Sequence, residues 1–440
     1  MKLLTGNDLI DPMDPRKINL KTLSVNRYIL SGFPSPEEMG ERLENHILPE
    51  YREVNGHIHS PYSFSAFPDL DAVFAMATAE NVKLIGINDF YVTDGYHEFY
   101  EGCIRHGIFP LFNIEFIGLM KQEQRKGIRI NDPNNPGRIY FCGKGLDFPF
   151  HQGWLKKLVL NRVKNETQKQ LKAMVVKLNA IISLSNPSLS LSFDEIKAKY
   201  ARELVRERHI AKALRYLVAE NYSTEEERIR FIESLYEGRR SKAAFSDHSA
   251  IENEIRSNLL KAGGTAFVEE DERSFLELRK IVDMIINSGG IPCYPVLLDD
   301  PSGKCTEFES DPERLYSALS KLGVGCIELI PGRNDLLYLK DFVDFFDNRG
   351  FIITFGTEHN TTEMVPLTVT SRGMKPLDDQ LKKISWRGVC EIAAHQYFRA
   401  RGENGYIGKD GRPLPGRRKE FESTGKLVIE YFLNKANYET

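Results

Sequence analysis

The chain has 440 residues, enough for one large α/β domain with an insertion or for two or three ordinary domains. With 41% hydrophobic and 28% charged residues and a formal net charge of -3, its composition is neither disordered nor membrane-embedded, and it lacks the overall basic charge of a nucleic-acid binder. Six cysteines without C-x-x-C spacing argue against a zinc knuckle or a disulfide framework; with no leader after Met1 and no long apolar run, a cytoplasmic location without a membrane span is expected.

Residues 1–50, with Pro12, Pro15, Pro34 and Pro36, read as a lead-in carrying a short amphipathic helix from 36 to about 51. Asn55-Gly56-His57-Ile58-His59-Ser60 then reads as a strand end. Residues i and i+2 of a strand share a face, so His57 and His59 converge on one point, and neutral imidazole ligates Zn, Mn, Fe and Cu. Taken alone, such a pair is more often accidental than ligating. A helix from Asp69, a strand over 84–89, a helix over 96–106 and a strand over 111–115 follow, and this alternation predicts parallel strands with covering helices. Both later strands end on a carboxylate, Asp89 and Glu115, at the edge where α/β folds gather ligands. Either acid alone reads as a helix cap or a surface ion pair. Both together, in phase with the two histidines, point to a metal site.

A turn-rich stretch, 131–137, leads into residues 138–145, which suggest a hairpin returning to the Glu115 strand. From about 155 to 286 the period is helical, with Leu171, Met174, Val175, Leu178, Ile181 and Ile182 on one face, Ser192 and Glu195 as a capping box, and Gly263-Gly264 and Gly289-Gly290 as helix ends. Strands are expected again over 291–296, 324–329 and 351–356, with helices over 312–322 and 337–348. The last strand runs into Thr357-Glu358-His359-Asn360, another acid and histidine at a carboxyl end. A helix over 386–401, a Gly-rich basic loop and a terminal helix close the chain.

In this order the stretches resemble the PHP superfamily, the metal-dependent hydrolases named for polymerase and histidinol phosphatase. His57-Ile58-His59-Ser60 with Tyr62-Ser63 resembles its first motif, Ile87-Asn88-Asp89-Phe90 its Ile-Thr-Asp-His, and Asn113-Ile114-Glu115 its Gly-x-Glu strand. Residues 139–145 resemble the following hairpin, Tyr294-Pro295 a His-Pro motif, Cys326-Ile327-Glu328 a strand bearing an acid, and Gly356-Thr357-Glu358-His359-Asn360 the final Gly-Ser-Asp-x-His. The resemblance implies an α/β fold, a PHP-type distorted (β/α)7 barrel formed by 51–150 and 287–370. A helical insertion at 151–286 would act as a lid, and 371–440 would form a C-terminal helical extension. Phe90, Tyr294 and Asn360 stand where the family has histidine ligands.

What survives is His57, His59, Glu115 and Glu358, sufficient for one divalent ion, with Asp89 and His359 available to a second; the mixed N/O donors suit Zn, Mn or Fe. The implied activity is hydrolysis of a small phosphorylated metabolite or nucleotide by activated water, with Asp89 binding the second ion or taking the water's proton. Arg138, Lys144, Arg208 and Arg333 are candidates to neutralise developing charge. Arg206-Glu207-Arg208-His209-Ile210-Ala211 resembles the Arg-Pro-His-Ile-Ala segment of some PHP phosphoesterases, which makes His209 a candidate phosphate contact; Tyr294 either blocks the site or supplies a hydroxyl. The alternative is a PHP-fold binding or regulatory module with reduced catalysis. Nucleic acid is disfavoured as a partner because Arg412, Arg417, Arg418 and Lys419 lack interleaved aromatics.

Overall fold

Short apolar runs closed by glycine or polar clusters form the strands, and the helical periods between them form the covering helices. The computed structural model describes residues 28–150, 154–298, 305–361, 363–408, 412–414 and 416–438; most of the expected lead-in lies outside these. In chain order the elements are α1 (Pro36–Leu43), β1 (Val54–Ile58), α2 (Leu70–Ala79), β2 (Leu84–Phe90), α3 (Tyr96–His106), β3 (Phe109–Leu119), α4 (Lys121–Arg125) and β4 (Arg138–Lys144). Five helices follow: α5 (Trp154–Ser185), α6 (Phe193–Tyr200), α7 (Glu207–Asn221), α8 (Glu225–Ser234) and α9 (His248–Ile255). The strand–helix rhythm returns with β5 (Leu276–Glu277), α10 (Leu278–Asn287), β6 (Ile291–Val296), α11 (Pro312–Lys321), β7 (Cys326–Leu329), α12 (Leu336–Asp347) and β8 (Ile352–Phe355). A minor hairpin of β9 (Thr370–Ser371) and β10 (Lys375–Pro376) precedes α13 (Asp379–Ala400) and α14 (Arg418–Tyr438).

The main sheet runs β1-β2-β3-β4-β6-β7-β8, with β5 added beside β3. All pairs in that path are parallel except those made by β4, which is antiparallel to both β3 and β6. The circle closes between β8 and β1, where the His59 amide donates to Glu358 O at 2.7 Å and the Glu358 amide to His57 O at 2.9 Å. The result is a distorted, nearly closed seven-stranded α/β barrel with one reversed strand.

Local chemistry places the helices as the sequence indicates. Ser35 and Glu38 form a capping box ahead of Pro36, Asp69 caps α2 through the Ala72 amide, and α3 ends on Gly107 in the left-handed region. Ser192 caps α6 through the Glu195 amide. α1 stops at Leu43 rather than near 51, because Ile47 is fully exposed and finds no apolar partner to extend the buried face of Met39 and Leu43. α13 begins at Asp379, seven residues before the expected start, because Asp378 caps it and Leu381 and Ile384 are buried in the core. The helices α5 to α9 share an apolar cluster of their own, whereas α13 puts Trp386, Val389 and Ile392 into the same cluster as β1, β2 and β3. Among the described residues no helix is long and apolar enough to cross a membrane.

Candidate metal centre

The β1 strand is buried along its whole length and carries a bulge, taking three residue steps from Asn55 to Ile58 against two on β2 from Ile85 to Ile87. A bulge re-aims a side chain, and His57 lies within this one. The carboxyl end of β8 closes over the same point, and a Cβ on Gly356 would lie 2.4 Å from the His57 Cβ, so only glycine fits there. His57 and His59 then face each other with their Nε2 atoms 3.2 Å apart. From β3, Glu115 brings its Oε2 to 3.2 Å from His59 Nε2 and 3.7 Å from His57 Nε2. This oxygen is buried and has no hydrogen-bond partner among the described residues.

Three donors on three sides of one point fit a bound divalent ion. Ligands about 2.1 Å from a tetrahedral ion stand about 3.4 Å from one another, close to the separations observed here. Two imidazoles and one carboxylate also match the three-ligand sets that leave a fourth position open. Burial acts on this group against charge: it lowers the His59 imidazole to about 4, so that the neutral, ligating form prevails, and it pushes the Glu115 carboxyl up, so that its ionised form calls for a cation beside it.

The donors are fixed from behind. His57 Nδ1 lies 2.6 Å from Glu328 Oε1 on β7, an imidazole–carboxylate bond that leaves Nε2 as the acceptor aimed at the centre. Glu328 is paired on its other oxygen with the Lys144 ammonium; His57 and Lys144 overcome burial to hold Glu328 at about 2, and Glu328 overcomes burial to raise Lys144. His59 stacks on Phe90, with ring centroids 4.8 Å apart, and its Nδ1 lies 3.3 Å from Ser63 Oγ, which donates to Asp89 at 2.6 Å. The Asn88 amide lies against the His57 ring, 3.0 Å and 3.1 Å from its two nitrogens.

A cavity of about 530 Å³ opens above the donors, lined by Phe90, Glu115, Tyr140, Glu328, Arg333 and Glu358 on the barrel side and by Arg206, Arg208, Arg256 and Lys261 on the side of the helical segment. Arg206 sits over the Phe90 ring at 4.8 Å and Arg208 over Phe64 at 5.3 Å. Among the described residues no carboxylate lies within ion-pair distance of Arg206, Arg208 or Lys261; Glu207 serves Arg256 alone, at 3.0 Å. Burial and the neighbouring Arg256 hold Arg208 below the usual arginine value, and the same two causes act on Lys261.

No family model matches the chain, and no curated protein sequence matches it. Among solved structures, a protein from Bifidobacterium adolescentis, whose assignment as a metal-dependent phosphoesterase is itself provisional, matches with a TM-score of 0.52 at 14% identity, over 79% of this chain and 98% of that one. The shared feature is the fold. An amidohydrolase from Chromobacterium violaceum, with bound sulfate and no metal, aligns at a TM-score of 0.46 and 16% identity over 76% of this chain and 96% of that one, too distant to bear on the argument.

The structure brings His57, His59 and Glu115 together and places the other expected site residues around or away from them. Asp89 is fully buried behind His59, its Oδ1 4.0 Å from His59 Nδ1, and takes the Ser60 amide at 2.8 Å, the Ser60 hydroxyl at 2.5 Å and the Ser63 hydroxyl; it does not line the cavity. Glu358 lines the cavity but is gripped by both Arg333 guanidinium nitrogens and by the Asn360 amide at 2.6 Å. His359 stacks on Phe67, its Nδ1 on Thr357 and its Nε2 on Val365 O, and does not reach the cluster. His209 accepts the Arg206 amide at Nδ1, a cap for α7 rather than a group facing the cavity. Tyr294 donates to the buried Glu309 at 2.8 Å, and Arg138 pairs with Glu270 at 2.9 Å in an adjoining cavity. Lys144 lies in the barrel interior on Glu328. Residues that sequence reasoning left out of the site are Glu328, Asn88, Cys142 and Arg206; the parity of β4, which puts Tyr140, Cys142 and Lys144 on one face, was the available signal for Cys142.

Proposed function

We propose that this chain is a metal-dependent hydrolase of PHP type that cleaves a phosphoester of a small molecule. The observation that carries the reading is the pairing of the orphaned Glu115 Oε2, facing two imidazole nitrogens, with a cationic wall across the same cavity. A divalent ion held by His57, His59 and Glu115 would supply Lewis acidity and lower the pKa of water to about 7. The chain's own part is binding and orientation. Arg206 and Arg208, without a carboxylate partner among the described residues and stacked on Phe90 and Phe64, are suited to take phosphoryl oxygens. The Glu358–Arg333 pair stands at the cavity wall, where Glu358 is the carboxylate best placed to accept a proton and Arg333 the cation that keeps it ionised: burial raises Glu358, and Arg333 more than offsets this. Walls contributed by the helical segment limit the cavity to small substrates.

A second reading, a binding module on the same scaffold, draws on Phe90, Tyr294 and Asn360, none of which offers a ligand to the centre. The two part in one experiment. Metal-loaded protein is assayed against a panel of phosphomonoesters and phosphodiesters, beside Glu115→Gln and an Arg206→Ala/Arg208→Ala double variant. Turnover lost in Glu115→Gln, and shifted to a higher KM in the arginine variant, supports the hydrolase; a metal-loaded protein that binds phosphate but turns over no ester supports the module.

A further inference from the structure

His57 belongs to two groups of donors. Its Nε2 side faces His59 and Glu115; its Nδ1 side faces Glu328 Oε1 at 2.6 Å, with the Cys142 thiol 3.8 Å from that same oxygen. An imidazole nitrogen, a sulfur and a carboxylate form a set that a borderline-soft ion takes readily. In this chain a cationic side chain already holds the other oxygen of that carboxylate. The Lys144 ammonium, 1% exposed, sits on Glu328 Oε2, with Gly56 O at 3.4 Å and Asn88 Oδ1 at 3.5 Å. It comes from the same face of β4 as Cys142, and its charge lies on the one carboxylate a metal ion of that group would use.

We propose that Lys144 is a built-in cation in the place of a second metal ion, so that the barrel binds one divalent ion and not two. The inference rests on the reading of His57, His59 and Glu115 as ion ligands. It follows from charge: Glu328 is the one carboxylate of the second group, Lys144 neutralises it, and a divalent ion added there would meet an ammonium that has no room to withdraw. Lys144 is thereby a positioning residue. By holding Glu328 it holds the His57 tautomer that turns Nε2 toward the centre.

The test is cobalt titration of the full-length apoprotein, read by metal analysis and by the near-ultraviolet thiolate-to-cobalt band. Wild type is expected to bind one equivalent without that band. Lys144→Ala is expected to bind two and to show the band, which Lys144→Ala/Cys142→Ser loses. Two equivalents in wild type, or a folded Lys144→Ala that stays at one, overturn the proposal while leaving the first site intact; no cobalt bound by wild type overturns the reading of the first site and this inference with it. Because Lys144→Ala strips a buried carboxylate of its counter-charge, folding is followed by circular dichroism with and without cobalt. A variant that folds only with cobalt supports the proposal, since the second ion then replaces the ammonium, and one that stays unfolded in excess cobalt overturns it.

Discussion

Glu115 Oε2 is a buried acceptor with no hydrogen-bond donor among the described residues, and such a group costs about 1–3 kcal/mol unless something else satisfies it. The carboxylate behind His57 matters almost as much, since partners of ligating imidazoles set both tautomer and basicity. Glu328→Gln is therefore expected to weaken metal affinity by about 10- to 100-fold, measured by competition with a chromophoric chelator; unchanged affinity would remove Glu328 from the account. His209 gives a different prediction. Burial holds it near 3, well below an unfolded histidine, so its contribution to stability is complete above about 6.5 and is lost as pH falls from there toward 3. Denaturant titration at pH 6.5 and 4.5 should show wild type losing about 2 kcal/mol more than His209→Gln over that interval; parallel losses would contradict it. At this scale the sequence was informative where two or three residues share one strand end, as His57 and His59 do. It named Lys144 as a cation and Glu328 as a strand acid but did not pair them, because an ion pair between residues 184 positions apart leaves no local pattern.

The elements explain which carboxylates reach the centre. Strand β2 is buried on both faces, so its apolar run carries no alternation to mark the inward side. The sequence placed the strand end at Asp89 but not its parity; the structure sets Asn88 on the His57 ring and Phe90 on the His59 ring, while Asp89 stands 4.0 Å from His59 Nδ1, the nitrogen opposite the one that faces Glu115. Existence and order of the seven barrel strands were legible for the opposite reason, each being an apolar run bounded by turn residues, and the expected 291–296 coincides with β6; the two-residue β5, β9 and β10 are too short to leave such a pattern. Helix α13 closes the barrel against β8 so tightly that a Cβ on Gly388 would fall 2.0 Å from Ile353 O. Gly388→Ala must push the helix from the strand and is expected to cost about 1–3 kcal/mol or more, as overpacking does, lowering the melting temperature. Unchanged melting would show that this contact gives way without cost.

The whole molecule brings two remote parts of the chain to one cavity: the metal donors from the barrel and the arginines from the start of α7. Hydrophobic periodicity announces a helical segment but not the face it presents to the barrel, which is why the sequence marked the stretch 206–211 without showing that Arg206 lines the cavity. If the cationic wall is an anion site, inorganic phosphate should stabilise the native state by mass action, about 2.7 kcal/mol at a hundredfold excess over Kd. The upward shift in melting temperature should shrink in Arg206→Ala/Arg208→Ala, and an equal shift in both proteins would place phosphate elsewhere. The central claim concerns the donors themselves, and equilibrium dialysis of wild type, His59→Ala and Glu115→Ala against zinc or manganese tests it most directly. The account expects tight binding in wild type that both substitutions abolish; wild type without bound metal, or variants that retain it, would contradict the account.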